Sequence, residues 1–344
     1  MTAKTTSKVI GTQTAFVNIR VHPGLSSPVK GRIQRNQRVE VGDAKAEADG
    51  LTWVFVDTGT ASGYIALTHN VRLYDPVKDD MFHYLFGLEG KSLVHTLKTS
   101  WAGDGEMIQV DNEGGNYYLT KGHGMVDCNF EAFFVNDNGI YRIYDTSPGP
   151  NPKDDQQRPL VYIIDKGNVQ PWLRRYMQEG ERVNYNVHID WKFKDSGKPY
   201  PGLEHVFFPH IIELKKIHTS FTFPSGITLS DVAEFRSSFT DGQEFESYFY
   251  ARGRGLVAWK DSTGSGRESY ISAFIQGTPT LTRETIPWLT TVPREAVKYQ
   301  KWDSAPVPVA KPVNPDMTQV LEQVENIANA VARLDETLKA LSRK

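Results

Sequence analysis

Two pairs of carboxylates are the residues of this chain best suited to acid and base chemistry. Glu244 and Glu246 lie two residues apart, so a β-strand would place both on one face. Glu131 and Asp145 bracket two predicted strands and are a second acidic candidate for a cleft. Hydrolysis of a glycosidic bond needs an acid and a base or nucleophile flanking that bond. The alternatives are a solvated strand face for the first pair and charge pairing with Arg142 for the second.

Other reactive residue types do not form a recognised catalytic or metal-binding pattern. His188 and Asp190 share a predicted strand face, which suits a metal or a general base, but they lack zincin spacing. The single cysteine, Cys128, excludes an intramolecular disulfide and a cysteine zinc cluster, and it is typical of a small buried residue. The sequence predicts no metal and no cofactor.

Short β-branched and aromatic segments separated by Asn, Asp and Gly turns predict a mainly β protein. Before the carboxyl-terminal region, only Trp172 to Glu179 has a short helical pattern. Ten strands are predicted, at 52–57, 117–120, 131–136, 140–144, 160–164, 183–193, 218–223, 245–251, 255–260 and 269–274.

Residues 1–76 are predicted to form a small β-barrel. The motifs occur in the order Asn18-Ile19-Arg20, Pro23-Gly24, Ser26-Ser27-Pro28-Val29, Trp53-Val54-Phe55-Val56 and Gly63-Tyr64-Ile65. This order, over residues 10 to 74, resembles a bacterial SH3-type domain. The resemblance implies a compact barrel that binds cell-wall peptide or glycan, or that serves as a protein-docking module. The residues available for binding are Tyr64, His22, Arg20 and Trp53, while Trp53 also suits the barrel core.

Residues 77–291 are predicted to form a central β-sandwich or jelly-roll-like domain. The segment from Tyr248 to Trp259 predicts a hairpin that reverses at Gly253 and Gly255. It weakly resembles a segment of uncharacterised β-rich bacterial surface-protein domains, and that resemblance implies no activity. Aromatic rings that could stack on sugars, or that could instead fill the core, are Trp101, Tyr117, Tyr118, Trp172, Tyr200 and Trp259.

The carboxyl-terminal region predicts a spacer followed by an oligomerising helix. Residues 292–316 contain five prolines, which favour an extended spacer. Residues 317–344 predict a coiled coil, with small or apolar flanks that favour a homotrimer over a dimer; the alternative is a helix packed on its own domain. The a and d positions are Met317, Val320, Val324, Ile327, Val331, Leu334, Leu338 and Leu341.

Charge and hydropathy narrow the function classes. A formal net charge of −2 gives no electrostatic basis for nucleic-acid binding. We expect no signal peptide and no membrane insertion, because no stretch has the required apolar length.

The expected function is that of a non-enzymatic, homo-oligomeric attachment or structural protein, such as a phage virion fibre, decoration or tail component. It would dock on a particle or surface protein, or bind cell-surface glycan. The alternatives are a cell-wall or polysaccharide hydrolase and a cytoplasmic scaffold, so the expected location is the virion or the cytoplasm.

Overall fold

Antiparallel β-sheets dominate the structure, which confirms the mainly β prediction. A computed structural model describes residues 5–87, 93–100, 103–113, 116–122, 128–145, 160–164, 170–193, 196 and 198–274. The predicted spacer at 292–316 and the predicted coiled coil at 317–344 lie outside these ranges.

The first sheet has seven strands in the order β3-β2-β6-β5-β4-β1-β7. Its alternating side chains bury one apolar face around Ile19, Val54 and Ile65. Gly63 allows β6 to approach β2, since a Cβ atom there would lie 2.4 Å from the Arg20 carbonyl oxygen. The strands are β1 Thr5–Thr12, β2 Phe16–Arg20, β3 Val29–Gln34, β4 Arg38–Ala48, β5 Leu51–Asp57, β6 Ser62–Leu67 and β7 Val71–Tyr74.

The second sheet closes on itself. In the described ranges it has thirteen strands. Twelve of them form a ring, because β11 pairs with both β10 and β12. The thirteenth strand, β14, pairs with β12 beside β13. We call this ring the closed sheet. The strands of the second sheet are β8 Leu93–Thr99, β9 Gly103–Glu113, β10 Asn116–Gly122, β11 Cys128–Val135, β12 Gly139–Asp145, β13 Leu160–Ile164, β14 Leu173–Arg174, β15 Arg182–Phe193, β16 Val206–Thr222, β17 Thr228–Phe239, β18 Glu244–Ala251, β19 Gly255–Asp261 and β20 Glu268–Phe274.

A short helix, α1 (Phe82–Leu85), belongs to the core of the closed sheet. Phe82 and Phe86 contact the ring of Tyr117, and Phe86 also contacts Phe133. The predicted hairpin is confirmed, because β18 pairs with β19 and the chain reverses between Ala251 and Gly255. The prediction of a helix at Trp172–Glu179 was wrong: the segment contains β14 and irregular backbone. Trp172, Leu173 and Met177 instead fill the same core.

The two sheets belong to one compact unit and share a polar contact that we call the joint. The hydroxyl of Tyr74 donates to the Glu181 carboxylate, with distances of 2.9 and 3.1 Å to its two oxygens. The side-chain amide of Gln178 donates to the Leu73 carbonyl oxygen at 3.0 Å. Glu181 is buried, so the β7 edge of the first sheet is held against a charged group from the closed sheet.

Candidate functional site

A row of side chains crosses three neighbouring strands on the outward face of the first sheet. Arg20 of β2 lies opposite Tyr64 of β6, and Tyr64 lies opposite Phe55 of β5. The rings of Phe55 and Tyr64 meet edge to face at 5.4 Å, and 37% of Phe55 is exposed. We call Arg20, Tyr64 and Phe55 the outward row. A guanidinium beside two aromatic rings offers stacking faces and a hydrogen-bond donor to a ligand.

Two of the four predicted ligand-binding residues lie apart from this row. Trp53 is 1% exposed and its indole donates to the Ala48 carbonyl oxygen at 3.0 Å, so it belongs to the core. His22 is exposed in the turn after β2, where its backbone N–H donates to the Ser27 hydroxyl. Arg20 also serves this turn, because its Nη1 donates to the Ser27 carbonyl oxygen at 2.6 Å. The turn therefore fixes the position of the guanidinium.

The predicted acidic pair Glu131 and Asp145 is brought together inside the closed sheet. The two residues are cross-strand partners on β11 and β12. Arg142 lies 3.3 Å from a carboxylate oxygen of each. All three side chains are buried, as the predicted charge pairing requires. We call Glu131, Arg142 and Asp145 the triad.

Aromatic rings surround the triad. The Arg142 guanidinium lies 4.5 Å from the ring centroid of Trp172, which is a cation–π contact. Trp172 in turn meets the rings of Tyr248 and Tyr250 edge to face at 6.2 and 6.4 Å. Burial raises the pKa of both tyrosines well above the ordinary value. Their hydroxyl groups therefore stay protonated at neutral pH, and that of Tyr248 donates to the Glu246 carboxylate.

His210 adds a neutral ring to this interior. Its imidazole meets the ring of Tyr185 edge to face at 4.7 Å. Burial lowers the pKa of His210 to about 4, and the nearby Arg142 charge acts in the same direction. His210 is therefore neutral at pH 7.

Glu244 and Glu246 have different surroundings despite their spacing. A register shift between Ser237 and Ser238 inserts one extra residue of β18 between the two glutamates, and such a bulge interrupts the alternation of faces. Glu244 forms an ion pair with Arg236 at 2.9 Å, whereas Glu246 contacts the buried Tyr248. The two carboxylates therefore do not converge as the simple alternation predicts.

His188 and Asp190 lie by the loop before β16. The imidazole of His188 stacks on that of His205 at 4.4 Å, and Asp190 accepts a hydrogen bond from the His205 backbone N–H at 2.8 Å. Phe207, 52% exposed, lies beside His188. Among the described residues, no group of three or more His, Cys, Asp or Glu side chains is arranged to hold a metal ion.

Sequence reasoning did not identify Phe55, Tyr185 or His210 as site residues. Phe55 belongs to the Trp-Val-Phe-Val motif. Alternation with the buried Val54 and Val56 could have suggested its exposure, but the buried Trp53 two residues earlier gives the opposite signal. Tyr185 lies in the predicted strand 183–193, whereas its cross-strand partner His210 lies outside the ten predicted strands. No spacing within one segment indicates such a contact.

No protein-family model, curated protein or solved structure matches this chain. Over the part of the chain that the structure describes, no helix is long and apolar enough to cross a membrane.

Proposed function

We propose that this chain is a non-enzymatic attachment or structural protein that binds a surface through the outward row. The observation that carries the proposal is the alignment of Arg20, Tyr64 and Phe55 across three strands. Aromatic faces stack on the apolar faces of sugar rings, and a guanidinium hydrogen-bonds to hydroxyl or carboxylate oxygens. The ligand class is cell-surface glycan, with a particle or surface protein as the alternative partner.

The triad supports the non-enzymatic part of this proposal. A single guanidinium 3.3 Å from both carboxylates forms an ion pair with each of them. A glycosidase acid, in contrast, must hold a proton until it protonates the leaving group. Glu131 and Asp145 are thus better suited to pairing with Arg142 than to the two roles of a hydrolase.

The finer architecture forms part of the same proposal. The seven-stranded sheet would be an SH3-like barrel, and the closed sheet would flatten into a β-sandwich. Residues 317–344 would join three copies, and a trimer would present three outward rows to one surface. Multivalent binding of this kind strengthens weak individual contacts, as a virion fibre, decoration or tail component requires.

Cosedimentation with insoluble cell walls and polysaccharides tests the binding role. We expect the wild-type chain to sediment with one of these materials and the Phe55→Ala, Tyr64→Ala double variant to remain in solution. Phe207→Ala is the matched control, since Phe207 is also an exposed aromatic residue but lies in the closed sheet. Equal sedimentation of all three proteins would contradict the proposal that the outward row binds the surface.

Sedimentation equilibrium tests the oligomeric role separately. Ile327→Asp places a charge at a central d position, and we expect it to convert a trimer into monomers. A monomeric wild-type chain would contradict the proposed oligomer.

A hydrolase remains the second candidate because three acidic residues, Glu131, Asp145 and Glu246, share one tyrosine-rich interior. Release of reducing sugars from peptidoglycan or polysaccharide by wild-type protein, abolished in Glu131→Gln, would establish it and overturn the non-enzymatic proposal.

A further inference from the structure

The Tyr185 hydroxyl is a buried polar group that the fold leaves without a hydrogen-bond partner. Tyr185 is 2% exposed and projects from β15 into the core of the closed sheet. Within the described part of the chain, its hydroxyl oxygen has no donor or acceptor at hydrogen-bond distance. An unsatisfied buried hydroxyl destabilises the folded chain, so native proteins normally supply a partner.

The surroundings of this hydroxyl are polar. The charges of Arg142, Asp145 and Glu131 all act on it, which places it within electrostatic range of the triad. His210, the cross-strand partner of Tyr185, packs its ring edge to face against the phenol. Burial raises the pKa of Tyr185 above its ordinary value, so the phenol remains a neutral group that can both donate and accept.

We propose that the closed sheet binds a small neutral hydroxyl compound that hydrogen-bonds to Tyr185 beside the triad. The compound is either a water molecule or a hydroxyl of a polyol. A hydroxyl group fits because it can accept from the phenol and donate to an anionic neighbour at the same time. A neutral compound fits because it adds no further charge beside Arg142 and the two carboxylates. This site is independent of the outward row and of the proposed attachment function.

Tyr185→Phe distinguishes a satisfied hydroxyl from an orphaned one. If a bound compound partners the hydroxyl, removing the hydroxyl loses that hydrogen bond, and we expect the unfolding equilibrium constant to rise roughly fivefold. If the hydroxyl is an orphan, its removal relieves a desolvation cost and the variant is more stable than wild type. The second result would overturn the proposal.

Tyr141→Phe provides the matched control. Tyr141 is another buried tyrosine of the closed sheet, and its hydroxyl interacts with the Asn136 side chain. Its replacement therefore reports the loss of a partnered hydroxyl. We expect Tyr185→Phe and Tyr141→Phe to shift the urea midpoint in the same direction, and opposite shifts would again overturn the proposal.

A crystal structure of the full chain in polyol-free buffer identifies the compound. A single density peak within hydrogen-bond distance of the Tyr185 Oη indicates water. Density that appears only after glycerol is added, together with a larger glycerol-induced rise in melting temperature for wild type than for Tyr185→Phe, indicates a polyol. No density under either condition would refute the site.

Discussion

The joint and the triad are two buried charge networks whose central groups carry opposite charge. The joint centres on one anion, Glu181, and collects donors from both sheets, including Tyr74 and the half-exposed Arg72 and Arg174. The triad centres on one cation, Arg142, with both carboxylates from adjacent strands of the same sheet. The difference indicates separate roles: the joint fixes one sheet against the other, whereas the triad fixes strands within one closed interior.

The location of each network determines how easily solvent can replace a lost partner. The arginines of the joint reach water, with side-chain exposures of 42% and 44%. Arg142 has a side-chain exposure of only 8%. Water can therefore solvate the arginines of a broken joint, but it cannot readily solvate a carboxylate left alone inside the closed sheet.

Arg142→Met should produce the largest effect. It leaves Glu131 and Asp145 buried without their shared guanidinium, and we expect the free energy of unfolding to fall by about 3–5 kcal/mol. Urea denaturation followed by circular dichroism measures this change. The triple variant Arg142→Met, Glu131→Leu, Asp145→Leu should recover most of the loss, because it removes every charge of the triad. A loss below about 1 kcal/mol in the single variant would mean that solvent reaches the triad.

Acidification should destabilise the interior around the triad before it affects Asp75, which lies in the connector that follows β7. The pKa of His210 is about 4 in the folded chain because burial disfavours the imidazolium, against an ordinary value of 6.5. The unfolded chain therefore binds more protons between these values, so stability is complete above pH 6.5 and falls as the pH is lowered toward 4. We expect a loss of about 2 kcal/mol between pH 7 and pH 5 through this residue.

His210→Gln tests whether His210 causes this loss, since the stability of the variant should depend less on pH between pH 7 and pH 5.

Asp75, in the connector that follows β7, has its pKa lowered chiefly by a backbone hydrogen bond from Lys78. Its stabilising effect is therefore lost only below the ordinary aspartate value of 3.8. Hydrogen exchange that rises first in the strands of the first sheet at pH 5 would contradict the expected order.

The sequence predicted the triad better than the joint for a physical reason. Carboxylates within apolar strands need partners, and Arg142 lies close enough in sequence to serve both. Tyr74 and Glu181 are separated by more than one hundred positions, and no periodicity connects them. Strand types were readable from composition, but the closure of the sheet and the contact of Tyr185 with His210 depend on register between distant segments. A bulge also separates Glu244 from Glu246, which simple alternation cannot anticipate.

Glu181→Gln should have an intermediate effect. Glutamine retains an acceptor for the Tyr74 hydroxyl but removes the charge that attracts Arg72 and Arg174. We expect a loss of about 1–2 kcal/mol, because hydrogen bonds to a charged acceptor are stronger than those to a neutral one. Amide exchange in β1 and β7 should increase more than exchange in β16. Glu268→Gln, at an exposed position of β20, is the control and should leave the free energy of unfolding and the amide exchange rates unchanged.

Glu244→Gln should have the smallest effect, and it sharpens the contrast between a glutamate paired with a partly exposed arginine and one bonded to a buried tyrosine. Glu244 pairs with Arg236, and the side chains of both residues are more than a third exposed. Exposed ion pairs contribute little because water already solvates both charges, so we expect a loss of no more than about 0.5 kcal/mol. Glu246→Gln, two residues along the chain, changes the acceptor of the buried Tyr248 hydroxyl and should cost clearly more. Thermal unfolding of the two variants in low and high salt separates these contributions, since only the Glu244 effect should be screened. Equal losses of stability with equal salt dependence would show that the bulge does not give the two glutamates different surroundings.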